Sequence, residues 1–233
     1  MPTLAAHPSC LHRLRSTREA LYTSGRILGE DDHPRDLWPV GLTHERGQAL
    51  RDLVIRERAT RCLETGFAFG LSASFLLEGS LTVQPEPIAH PRVTSIDPFQ
   101  TTQWRGAGRR FLKEAGLTLL HTLLEFRSES ALPQLISEHG GGQQFDFAFI
   151  DGDHRFESAF LDIFFARRLL GPGKLIVVDD AWIPAIQKAA AFFTSATLCR
   201  QEPTPEGSPL SKFILLHVDA EGDAREWDHF AQF

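Results

Sequence analysis

Strand and helix segments alternate along this chain from about residue 43. That alternation predicts an α/β fold: a doubly wound, mostly parallel sheet of seven strands with helices on both faces. Two further observations sharpen the expectation. The strand segments are near-continuous apolar runs, such as FDFAFID (145–151) and KLIVVDD (174–180), which suits strands covered on both faces. The final two strand segments, TLCRQE (197–202) and KFILLHV (212–218), have no helix between them, so a hairpin joins them and the last strand is antiparallel.

Each element follows from its local pattern. Residues 1–42 carry Pro2, Pro8, Pro34 and Pro39 and read as an irregular extension with one helix across LHRLRSTREALYTSG. The segment 43–218 reads as the main domain. It opens with a helix capped by Thr43, with Leu50, Leu53, Val54 and Ile55 on its apolar side. RCLETG, RVTSID, HTLLEF and FDFAFID are the next strands. The helices between them are LSASFLLEGSL, WRGAGRRFLKEAG and ESALPQLISEHG, the last with a proline tolerated in its first turn. HRFESAFLDIFFARRLL is a long helix stopped by GPG, and IPAIQKAAAFFTSA follows the strand KLIVVDD. The tail 219–233 spaces Trp227, Phe230 and Phe233 as on one helical side, a pattern that suits packing or a subunit contact.

Composition bounds the function. The net charge is −6, so no basic surplus favours nucleic acid. Apolar runs are too short for a membrane span, the N-terminal segment lacks a signal-peptide core, and the cytoplasm is the expected compartment. Cys10, Cys62 and Cys199 have no zinc spacing and are expected as free thiols.

Two stretches carry chemistry. LETGFAFGLSASFLL follows a strand and opens a helix, where Gly66 and Gly70 let backbone approach a ligand. It lacks the glycine spacing of a dinucleotide site, and Glu64 before it disfavours a pyrophosphate and favours a cationic ligand. Asp97, ending TSID, is placed to accept from a ribose diol, or else is a helix N-cap or a loop aspartate. The second stretch is a pair of strand ends. Asp151, Asp153, Asp179 and Asp180 end two strands expected to be neighbours, and converging carboxylates need protons, a cation or a metal. Hard oxygen ligands favour Mg²⁺. Asp153 also suits a helix cap, and Asp146 and Asp162 read as solvated or capping acids.

The order E-x-G-x-x-x-G-x-S, I-D-P, F-D-F-A-F-I-D-G-D-H and G-P-G-K-L-I-V-V-D-D resembles class I S-adenosylmethionine-dependent methyltransferases over roughly residues 43–218. It is most similar to the metal-dependent O-methyltransferases, both the catechol O-methyltransferase-like enzymes and those that methylate sugar or phenolic hydroxyls of macrolide and aminocoumarin antibiotics. The resemblance implies a Rossmann-like sheet, S-adenosyl-L-methionine and Mg²⁺ as cofactors, and a small-molecule hydroxyl as acceptor. It implies that Glu64, Gly66, Gly70 and Ser72 face the methionine end, Asp97 the ribose, and Ser128 and Glu129 the adenine, with Asp151 shared between cofactor and metal. Asp151, Asp179 and Asp180 are the implied metal ligands, and Asp153 the candidate base with His154 as its competitor. Trp104 and Trp182 could line the cofactor and acceptor pockets or simply pack. A homodimer is expected from the same resemblance. A metal-free methyltransferase, a nicotinamide-dependent oxidoreductase, a non-catalytic binding protein and a hydroxylation-associated protein of this fold remain the alternatives.

Overall fold

Apolar and small residues decide where the chain turns from helix to strand, and the computed structural model describes the result for residues 8–86, 90–138 and 143–219. Two units, Met1–Arg127 and Ser128–Phe233, divide the chain.

The first unit runs α1 (Pro8–Ser24), β1 (Arg26–Leu28), β2 (Pro34–Asp36), α2 (His44–Arg56), β3 (Cys62–Thr65), α3 (Leu71–Val83), β4 (Val93–Ile96), α4 (Ala107–Glu114) and β5 (His121–Leu124). Strands β3, β4 and β5 pair in parallel, every residue of β3 and β4 being buried. Thr43 caps α2 through its side chain, as expected, and Leu50, Leu53 and Val54 are buried beneath it. Gly47 is required for the approach of α2 to α3: a Cβ there would stand 2.0 Å from the Phe75 ring. Helix α3 is buried nearly throughout, and its one acid, Glu78, is fully enclosed. Arg15 donates to Glu78 at 2.9 Å and Arg51 at 3.4 Å, with Arg18 closer still. Burial alone would neutralise that carboxyl, but the arginines hold its pKa below the ordinary value.

The segment read as irregular is more ordered than its prolines suggested. Strands β1 and β2 form an antiparallel hairpin whose turn is tied to α4. Arg109 binds Glu30 at 2.8 Å, Arg110 binds Asp32 at 2.6 Å, and the Glu30 N–H donates to the Arg105 carbonyl at 2.8 Å. Periodicity could not reveal strands of three residues whose partners are each other and a distant helix.

The second unit runs α5 (Ser128–Glu138), β6 (Phe145–Ile150), α6 (Phe156–Leu169), β7 (Leu170–Val178), α7 (Pro184–Ser195), β8 (Cys199–Glu202) and β9 (Ile214–Val218). Strands β6 and β7 are parallel, and β9 is antiparallel to both β7 and β8. The strands take the order β5-β4-β3 in the first unit and β6-β7-β9-β8 in the second, with helices around them, and the alternation and the antiparallel last strand are as predicted.

Three expectations need correction here. The GPG after α6 does not stop the helix from outside. Residues 171–173 lie inside β7, just after its first residue Leu170, where the register with β6 shifts and Gly173 takes a φ of 76°. Pro133 lies beyond the first turn of α5, because the helix starts at Ser128. Asp162 is not solvated: it is 1% exposed on the inner side of α6. Cys62 and Cys199 are buried free thiols, and Cys10 is half-buried and free. No helix among the described residues is long and apolar enough to cross a membrane. The tail positions Trp227, Phe230 and Phe233 lie outside the described residues.

Candidate functional site

The first unit holds the glycine turn. Strand β3 delivers Glu64 into the interior, and Gly66, Ala68 and Gly70 take positive φ values of 88°, 43° and 73° before α3 begins. Gly70 is the residue preceding α3, in the left-handed region where a side chain would be strained. Gly108 lets α4 close on this turn, since a Cβ there would stand 2.7 Å from the Ala68 carbonyl.

Glu64 is fully buried. Burial lifts its carboxyl to about 7, against the hydroxyls of Ser72 and Ser95, and the neighbouring Asp97 charge adds to the rise. Ser95 Oγ donates to its Oε2, while Oε1 has no hydrogen-bond partner among the described residues. A buried, bare carboxylate oxygen is costly unless a donor meets it, and a cationic ligand at the turn would supply one.

Asp97 is 3% exposed, and burial raises its pKa although backbone donors resist the rise. Its Oδ2 accepts from the Ala68 N–H at 2.7 Å and its Oδ1 from the Phe99 N–H at 2.8 Å. The acid therefore anchors the glycine turn as well as ending β4. A carboxylate has about four lone-pair positions, so capacity for a diol remains. Gln100, fully buried, donates to the Ala68 carbonyl, and its Oε1 has no hydrogen-bond partner among the described residues. Trp104 packs edge-on against Phe69, with ring centroids 5.3 Å apart. Sequence reading missed Gln100, Ser95, His121 and Glu125, which accepts from Thr101 Oγ1 at 2.9 Å and Arg109 at 3.1 Å. Their common signal was weak: polar residues inside or just after buried strands.

The second unit holds the acidic rim. Ile150 and Val178 are paired at the ends of β6 and β7, which sets Asp151 beside Asp179 in register. Asp151, His154 and Asp180 each offer a ligand atom within 4.8 Å of the others. His154 Nε2 lies 2.7 Å from Asp180 Oδ2, and Asp180 takes a φ of 57°. Asp179 accepts from the Asp180 N–H at 2.7 Å and is 4% exposed. The set brought together is thus two of the three expected ligands plus His154. One imidazole and two carboxylates suit a divalent metal with open positions.

Asp153 stands apart from that set. Arg155 donates to it from Nε at 2.8 Å and from its backbone N–H at 3.2 Å, and Ser158 Oγ adds a bond at 3.3 Å. These bonds, the Arg155 side chain foremost, hold its pKa below the ordinary value. Glu129, exposed in the first turn of α5, acts on the charge of Arg155, and Ser128 is half-buried at the start of the same helix. Lys212 Nζ lies 5.4 Å from the centre of the half-exposed Trp182 ring.

A family described as "Methyltransferase domain" matches residues 63–181, just over half of the 233. The chain belongs to this methyltransferase family. Solved structures agree on the class I fold. An O-methyltransferase from Bacillus cereus, in complex with SAH, superposes with a TM-score of 0.65 at 18% identity, covering 91% of each chain. TomG from Streptomyces achromogenes, an O-methyltransferase of tomaymycin synthesis in complex with SAM, gives 0.64 at 19% identity over 89% of each. The SAH-bound methyltransferase PaMTH1 of Podospora anserina gives 0.63 at 16% identity, covering 89% of this chain and 88% of that one. No curated protein sequence matches this methyltransferase.

Proposed function

We propose that this methyltransferase uses S-adenosyl-L-methionine to methylate a hydroxyl of a small molecule, sugar or phenolic, with Mg²⁺ at the acidic rim. The observation that carries the reading is Glu64: a fully buried carboxylate with one oxygen that has no partner among the described residues, beside a turn built from positive-φ backbone. That chemistry suits an ammonium and rejects a pyrophosphate, which argues against a nicotinamide cofactor.

Glu64, Gly66, Gly70 and Ser72 would hold the methionine end, Asp97 the ribose hydroxyls, and Ser128 and Glu129 the adenine. Asp151 and Asp180 with His154, and Asp179 beside them, would hold the metal. When bound, the sulfonium supplies an electrophilic methyl and Mg²⁺ the positive charge that favours ionisation of an acceptor hydroxyl. The protein's own part is chiefly orientation, since aligned reactants gain most of their rate from being held close. Trp182 offers an exposed aromatic surface for the acceptor. Asp153, engaged by Arg155, is better suited to hold the start of α6 than to take a proton.

A second reading has its own observation. His154 paired with Asp180 at 2.7 Å could take the hydroxyl proton without a metal, the carboxylate orienting the imidazole. Calorimetry with S-adenosylhomocysteine and NAD⁺, then a hydroxyl-acceptor screen with and without EDTA, separates these readings. Binding of S-adenosylhomocysteine but not NAD⁺ supports the cofactor, and activity abolished by EDTA and restored by Mg²⁺ supports the metal. Full turnover in EDTA selects the His154 base. We further propose a homodimer, for which a dimeric mass in light scattering is expected.

A further inference from the structure

Three polar side chains cross the sheet of the first unit in a row. Glu64 on β3 stands opposite Ser95 on β4. His121 on β5 pairs with Val93, two residues before Ser95, and so lies diagonal to Ser95 on the same side of the sheet. Ser95 Oγ donates to Glu64 Oε2 and lies 2.8 Å from His121 Nε2. Phe67, from the glycine turn, stacks on the His121 ring with centroids 4.8 Å apart.

The bonding of this row has two consistent orders. A serine hydroxyl has one proton to donate. With Glu64 ionised, Ser95 donates to it and must accept from His121, whose proton then sits on Nε2. With Glu64 protonated, the carboxyl donates to Ser95, whose hydroxyl turns to donate to His121 Nε2, and the imidazole proton then sits on Nδ1. Passing from the first order to the second takes up one proton from water at Glu64, turns the Ser95 hydroxyl and changes the His121 tautomer, leaving the imidazole neutral throughout. Burial keeps His121 neutral, lowering its pKa to about 4, and burial places Glu64 at about 7, so both orders are reached near neutrality. The other groups acting on Glu64 are Asp97 at the end of β4 and Ser72 from α3.

We propose that Ser95 and His121 are positioning residues that set the charge of Glu64, and through it the affinity of the glycine turn for a ligand ammonium. The inference rests on the reading of that turn as the S-adenosylmethionine site. It reaches further, to two residues of β4 and β5 that couple cofactor binding to a proton.

Nitrogen-15 spectra of histidine-labelled protein test it, with the His121 signals assigned by their loss in His121→Gln. In the cofactor-free protein the His121 proton should move from Nδ1 to Nε2 between pH 6 and pH 8. S-adenosylhomocysteine, which carries the ammonium, should hold it on Nε2 at pH 6, and calorimetry in two buffers of different ionisation heat should show a proton released on binding. Ser95→Ala should shift the midpoint of that proton release upward by about one pH unit, about a tenfold loss of affinity at pH 6. Ser95→Thr, which keeps the hydroxyl, should restore it. One unchanging His121 tautomer across this range would overturn the proposal, as would binding without proton release at pH 6. A tautomer change without any binding of S-adenosylhomocysteine would instead support the relay and remove the cofactor reading.

Discussion

The glycine turn of the first unit and the acidic rim of the second solve the same problem, that of placing carboxylates at strand ends, with different partners. Glu64 is fully enclosed and Asp97 nearly so; both are fixed by serine or backbone donors, and burial raises both their pKa values. At the rim, Asp179 and Asp180 are also buried, at 4% and 8% exposed, but Asp151 is half-buried and His154 keeps 54% of its side chain exposed. A buried acid pays for desolvation whether or not a ligand comes. At the glycine turn, serine and backbone donors offset that penalty in advance, whereas at the rim a cation would gather the carboxylates with the exposed imidazole. The contrast separates a pocket whose acids are held by donors from a rim that a cation would complete.

The largest expected effect is at the rim. Asp180→Asn should lower turnover by about 10²–10⁴-fold, because Asp180 serves either the metal or the His154 base. Binding of S-adenosylhomocysteine, measured by calorimetry, should stay close to that of the unaltered protein. A comparable loss in both would show that the two regions are not separable.

Next comes Glu64→Gln. It should weaken S-adenosylhomocysteine by about 10–100-fold, the loss of one charge-assisted bond of about 1.5–3 kcal/mol. Its effect on stability has the opposite sign. The folded carboxyl, at about 7, keeps its proton where the unfolded one, near 4.3, has lost it. Folded protein therefore binds more protons between those values, and Glu64 makes the cofactor-free protein less stable as pH rises through the window. His121 contributes the reverse slope: its folded value of about 4 lies below the unfolded 6.5, so its contribution is lost as pH falls from 6.5 to 4. Denaturant melts of Glu64→Gln should show higher stability than the parent at pH 8 and near-equality at pH 4. No difference at pH 8 would refute the raised carboxyl.

Asp97→Asn should be milder for binding, about tenfold, but should cost about 1–2 kcal/mol of stability because the Asn NH2 takes the place of the oxygen that accepts from either the Ala68 or the Phe99 amide, leaving that N–H unpaired. Unchanged melting with weakened binding would make Asp97 purely a ligand residue. The smallest effect belongs to Asp153→Asn. Its exposed pair with Arg155 contributes little in water, and turnover should remain within a few fold. A hundredfold loss of rate would return Asp153 to the role of base.

By itself the sequence determined the succession of strands and helices from about residue 43 and the places where chemistry could sit. Runs such as FDFAFI and KLIVV can satisfy their backbone and side chains only inside a covered sheet, and Thr43 before an apolar-periodic segment can only start a helix. The glycine turn and the strand-end acids were legible because they depend on local spacing. The tertiary structure decided the rest, because it alone sets distance between residues far apart in the chain. It joined β1 to β2 and tied their turn to Arg109 and Arg110. It put Arg155 on Asp153 and His154 beside Asp180. It also aligned Glu64, Ser95 and His121 across three strands, a row that no local pattern contains because sheet register, and with it the dielectric and the partner of each group, exists only once the strands pair.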